Sequence, residues 1–106
     1  MLVHVVLFRP KPDISEETRR EMFDALWTAA SGIPTVRRFH VGARKTHGAA
    51  YETFMREDFP FAAIIEFDDL EGLQAYLRHP HHEKLGALFY QLQEMALAYD
   101  YDMTAV

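Results

Sequence analysis

Imidazole is the side chain that changes charge nearest neutral pH, and three of them fall within four residues, at His79, His81 and His82. Pro80 stands among them. A proline disfavours the α conformation in the residue before it, so a helix running through Leu73 and Leu77 should stop at His79. Proline also suits the first position of a new helix, where its missing N–H would have been unpaired anyway. The three histidines are therefore expected at a helix start. The positive end of the helix dipole there favours the neutral, proton-accepting ring, which suits a general base. Another histidine, His4, lies in the apolar run from Leu2 to Phe8. In such a place it must find a hydrogen-bond partner or face a cavity. His79 and His82, with His4 or Glu83, would offer nitrogen and oxygen donors to a metal. Pro80 breaks the helical geometry between them, and neither His-x-x-Glu-His nor His-x-x-x-His occurs. No metal and no cofactor is expected. The absence of cysteine excludes thiolate catalysis, disulfides and cysteine-ligated zinc or iron–sulfur sites.

These side chains need elements to hold them. Residues 2 to 9 are apolar and β-branched, which predicts a buried strand ended by Arg9-Pro10-Lys11-Pro12. Two-residue alternation sets His4 on one face with Leu2, Val6 and Phe8. Asp13 or Ser15 should then cap a helix, with Asp13 and Glu16 resembling a capping box. Met22, Phe23, Leu26, Trp27 and Ala30 form its apolar stripe. Gly32 suits the C′ position, and Pro34 follows just beyond. Residues 35 to 42 read as a second strand, with Phe39 and Val41 on one face and Val36, Arg38 and His40 on the other. Residues 43 to 58 hold neither period and predict a long loop with a helical turn at most; Tyr51, Phe54 and Met55 would make it a lid or a dimer contact. Phe59 to Phe67 is the third strand. Asp68, with Glu71 three residues on, is the expected cap of a helix carrying Leu70, Leu73, Tyr76 and Leu77. Pro80 opens the next helix, whose stripe is Leu85, Leu88, Phe89 and Leu92. Residues 95 to 102 alternate as a last strand, with Met95, Leu97, Tyr99 and Tyr101 on one face.

The order is β-α-β-β-α-α-β, an α+β, ferredoxin-like arrangement with one four-stranded antiparallel sheet and an extra helix in its second half. Helices cover only one side of such a sheet. The other side carries large apolar residues in several strands, a face unlikely to stay in water. A homodimer packed sheet to sheet is expected, with Tyr99 and Tyr101 in the contact.

The totals agree with a small globular chain. At 106 residues it is expected to be one domain, 1–106. Hydrophobic residues make up 49%, enough for a core, and the net charge of −5 argues against a nucleic-acid partner. The N-terminal run is too short for a membrane span and lacks the basic start and cleavage site of a signal peptide, so a cytoplasmic protein with no membrane contact is expected. Arg37, Arg38, Arg44 and Lys45 form a basic run that reads as a solvated strand end. His40 and His47 read as a strand face and a solvated loop.

In order and spacing, several motifs resemble the stress-responsive α/β-barrel (Dabb) family. They are His4-Val5-Val6-Leu7-Phe8, Ile33-Pro34 with a strand ending in Gly42, Ile65-Glu66-Phe67-Asp68-Asp69, Tyr76-Leu77-Arg78-His79-Pro80-His81-His82, and the closing Tyr99-Asp100-Tyr101. The resemblance covers nearly the whole chain. It implies a dimeric α/β barrel built from two ferredoxin-like chains, with a pocket between sheet and helices in each. Polyketide-cyclase-type members of the family close rings by aldol chemistry without a metal or organic cofactor. Carried over, their acid–base pair is His4 and His82, with Tyr76 as hydrogen-bonding partner and His79 as a structural or cap residue. Residues 43 to 58 are longer than in many members and could reshape or cover the pocket.

The expected function is therefore a cofactor-independent lyase, cyclase or isomerase using His4, His82 and Tyr76 on a small apolar carbonyl compound. Phe23, Trp27 and His79 are the candidates for touching that ligand. The alternative is a non-catalytic, stress-associated ligand-binding or structural dimer. In that case His4 bonds a backbone carbonyl or His82, and the motif merely joins a strand to a helix start.

Overall fold

The computed structural model describes residues 1–106. Four strands, β1 (Leu2–Pro10), β2 (Arg38–Ala43), β3 (Phe61–Phe67) and β4 (Gln93–Asp102), alternate with three helices, α1 (Glu16–Gly32), α2 (Leu70–Arg78) and α3 (Pro80–Leu92). The fold is α+β and ferredoxin-like. The sheet is antiparallel, in the order β2-β3-β1-β4. It is open within one chain, with β2 and β4 at its edges, so no barrel closes in the single chain. No helix is long and apolar enough to cross a membrane.

Register follows the apolar alternation. His4 lies opposite Ile65 on β3 and Asp100 on β4, and Val6 lies opposite Ala63 and Ala98. Directly opposed residues share a face, so these side chains all point toward the helices. Ile65 and Phe67 are almost wholly buried there, with Leu73 and Tyr76 of α2, Leu85 of α3 and Ala25 and Ala29 of α1 packed on them. The other face carries Leu97, Tyr99 and Tyr101, at 38%, 51% and 49% exposure. β1 runs on through Arg9, past a register shift, to Pro10 opposite Gln93.

Several boundaries differ from expectation, each for a local reason. Ser15, not Asp13, caps α1 by accepting a hydrogen bond from the Thr18 N–H at 3.1 Å. Asp69, not Asp68, caps α2 by accepting from the Gly72 N–H at 2.8 Å. Asp68 instead receives the Arg37 guanidinium at 2.7 Å. Gly32 is the last residue of α1, and the following Ile33 has φ −98°, so no left-handed cap forms. Gly32 is needed for closeness: a Cβ there would lie 2.9 Å from Cδ2 of His81, where α3 crosses α1. The stripe of α1 is also rotated from the expected one. Ala25 and Ala29 are buried, whereas Phe23 and Trp27 are 67% and 68% exposed. Small residues let α1 settle close to α3, and the two large rings fall on its shoulder. Leu70 likewise faces solvent rather than core.

Residues 44 to 60 form the long connection, with a 3-10 helical turn at Ala50–Phe54. Arg9 donates to Glu57 at 3.2 Å and to the Asp58 carbonyl at 3.0 Å, which ties the end of this connection to the sheet edge.

Candidate active site

A cavity of about 810 Å³ lies between the sheet and the helices, inside the range of small-molecule sites. His4, Tyr76 and His82 meet in its wall. β1 delivers His4 from the sheet, α2 delivers Tyr76, and the first turn of α3 delivers His82. The Tyr76 ring lies between the two imidazoles, with centroids 6.2 Å from His4 and 4.6 Å from His82.

Both imidazoles are held by their Nδ1 atoms. His4 Nδ1 lies 2.5 Å from Asp100 Oδ1. An ionised carboxylate only accepts, so Nδ1 carries the hydrogen and Nε2 presents a lone pair. His82 Nδ1 lies 3.2 Å from the Leu77 carbonyl. The same logic assigns the hydrogen to Nδ1 and leaves Nε2 as the acceptor. Burial lowers the pKa of His82 below the ordinary histidine value, against the opposing pull of the Leu77 carbonyl. His82 is therefore neutral at neutral pH and ready to accept a proton. Burial raises the Tyr76 pKa well above its usual value. Its hydroxyl keeps its proton and acts as a donor.

Asp100 is the functional residue that sequence reasoning passed over. The signal was present in Tyr99-Asp100-Tyr101. With the tyrosines on the uncovered face, the aspartate between them must point to the covered one, where an acid needs a partner.

The remaining candidates fall elsewhere. His79 caps α3, its Nδ1 accepting from the His81 N–H at 3.1 Å, and it lies outside the cavity wall. Phe23 reaches the cavity from α1, but the exposed Trp27 does not. Tyr51, Phe54 and Met55 are exposed and form no part of the wall, so the 43–58 segment is no lid in this structure. Arg37, Arg38 and Arg44 each pair with an acid, namely Asp68, Glu66 and Asp58. His40 is exposed on the uncovered face, and His47 bonds the Tyr51 hydroxyl at 3.0 Å. No group of three or more His, Asp or Glu side chains is placed to hold a metal ion.

A strand histidine, a helix tyrosine and a histidine in the first turn of the next helix are thus set around one cavity. The model of the stress responsive A/B barrel domain matches residues 2–103. The chain belongs to this family. It is 24% identical over 98 residues to olivetolic acid cyclase of Cannabis sativa, covering 92% of each chain. A hydroxynitrile lyase from Passiflora edulis has the same fold, with a TM-score of 0.79 at 15% identity over 99% of this chain and 94% of that one. A protein from Thermobifida fusca, described as a dimeric ferredoxin-like protein of unknown function, has a TM-score of 0.74 at 22% identity, covering 96% and 90%.

Proposed function

We propose that this stress responsive A/B barrel protein is a cofactor-independent acid–base catalyst of the lyase, cyclase or isomerase type. Its substrate is a small carbonyl compound with an apolar body. The observation that carries the reading is the convergence of His4, Tyr76 and His82 on one apolar cavity, with both Nδ1 atoms occupied and both Nε2 atoms left as acceptors. His82 takes the proton next to the carbonyl. Tyr76 donates to the enolate oxygen as charge develops there. His4, its tautomer and ring orientation fixed by Asp100, takes a substrate hydroxyl proton at Nε2 and returns it to the product. Proton transfer by a positioned side chain is typically worth about 10²–10⁴ in rate. The names of two matched proteins, a cyclase and a lyase, support the reaction class.

The working unit is a homodimer formed through the uncovered sheet face. The apolar residues along β4 support this, as does the dimeric description of a matched structure.

The test is a screen of carbonyl substrates by wild type, followed by His82→Ala. The variant is expected to lose about 10²–10⁴ in kcat/KM while its circular dichroism and melting stay unchanged. A wild type inert toward every carbonyl tested, or a variant with full turnover, would sink the reading.

A further inference from the structure

The cavity extends far beyond the acid–base cluster. His4, Val6, Phe8 and Pro10 line its floor in turn along β1, and the six steps from His4 to Pro10 span about 20 Å at the usual strand rise. The wall between is apolar, built from residues such as Ala63, Leu85 and Phe89. The end away from the histidines is different, because Lys11 and Arg19 stand in the wall there. They are its only lysine and arginine, and it contains no carboxylate.

Local structure sets both cations in place. Lys11 follows the end of β1, and its backbone N–H bonds the Leu92 carbonyl at 2.9 Å. Arg19 extends the cavity-facing stripe of α1, lying three, four and seven residues before Met22, Phe23 and Leu26, all of which line the cavity. Arg9, Arg37, Arg38 and Arg44 each pair with an acid, but Lys11 and Arg19 have none in salt-bridge reach. Glu16 lies in the groove next door, shared with Arg19, without closing a pair. Seven of the eleven lysines and arginines lack such a pair, and Lys11 and Arg19 are the two of these that line the cavity.

We infer that the ligand is an amphiphile whose anionic headgroup, a carboxylate or a phosphate, sits between Lys11 and Arg19. Its apolar chain runs along β1 and its reacting carbonyl lies at Tyr76 and His82. This inference rests on the acid–base reading of the site and adds the substrate class.

The test is calorimetric titration of the protein with dodecanol, dodecanoate and dodecyl phosphate, which share one chain and differ in headgroup. At least one anion should bind roughly tenfold more tightly than the alcohol, the scale of one charge-assisted contact, and the tighter anion names the headgroup. The Lys11→Gln, Arg19→Gln double variant should lose that preference and bind dodecanol as before. Equal binding of all three by wild type overturns the inference. So does a preference that survives in the double variant but disappears in His82→Ala, since the headgroup would then lie at the other end. Neither result touches the acid–base reading, which stands or falls on turnover by His82→Ala. Binding of none of the probes would remove the apolar site on which both rest.

Discussion

The proposed reaction needs a neutral base for a carbon acid, and the surroundings of His82 suit that role. Burial holds its pKa below the ordinary value. The acid limb of kcat/KM should therefore lie below about 6.5, the usual histidine pKa, as a pH–rate profile would read. Folding carries the same sign. His82 binds protons less readily folded than unfolded, so its environment costs no stability above about pH 6.5 and progressively more as pH falls from there toward the folded value. Urea melts between pH 7 and 5 should show wild type losing stability more steeply than His82→Leu. Tyr76 has a different task. Its ring packs on Phe67 at 5.1 Å between centroids, and in the proposed reaction its hydroxyl donates to the oxyanion. Tyr76→Phe should melt like wild type yet lose about 10² in kcat, the scale of one lost oxyanion donor. A large loss of stability with kcat intact would show that the tyrosine is only core.

Each helix start has a specific polar atom on a specific donor. Ser15, Asp69 and His79 hold α1, α2 and α3 in turn. The third is the most consequential, because the turn that His79 caps is the one that aims His82. Asp69→Ala should lower stability by about 1 kcal/mol, the usual value of a cap, measured by denaturant titration. An unchanged midpoint would mean that neighbouring Asp68 takes over. Most elements were legible in the sequence, since apolar spacing and the punctuation at Pro80 reflect local steric rules. The rotation of α1 was not. Phe23 and Trp27 looked like core because they are large and apolar. The crossing of α1 with α3 selected Ala25 and Ala29 instead, because close helix packing favours small side chains at the point of contact.

The chain forms a slab 43 × 39 × 16 Å, with a radius of gyration of 14.7 Å, against about 13 Å for a compact domain of this length. It is one layer of helices on one layer of sheet, with the far face of the sheet bare. That face has ample room for the roughly 800 Å² per partner of a stable interface. Tyr99→Lys, which sets a charge in the middle of its apolar strand, should convert a dimer to a folded monomer in sedimentation velocity. A variant that sediments like wild type would move the interface elsewhere.

By itself the sequence determined the order of elements and the split of apolar residues between two sheet faces, and its likeness to the family put forward His4, Tyr76 and His82 as the candidate site. These depend on periodicity, capping and short motifs, all of which act over a few residues. Only the tertiary structure decided that Asp100 orients His4, that Trp27 lies outside the cavity while Phe23 reaches it, and that Lys11 and Arg19 stand at its far end. The His4–Asp100 pair spans 96 positions and exists only because β1 and β4 lie side by side in one register. Such pairings are made by packing the whole chain, so no local pattern specifies them.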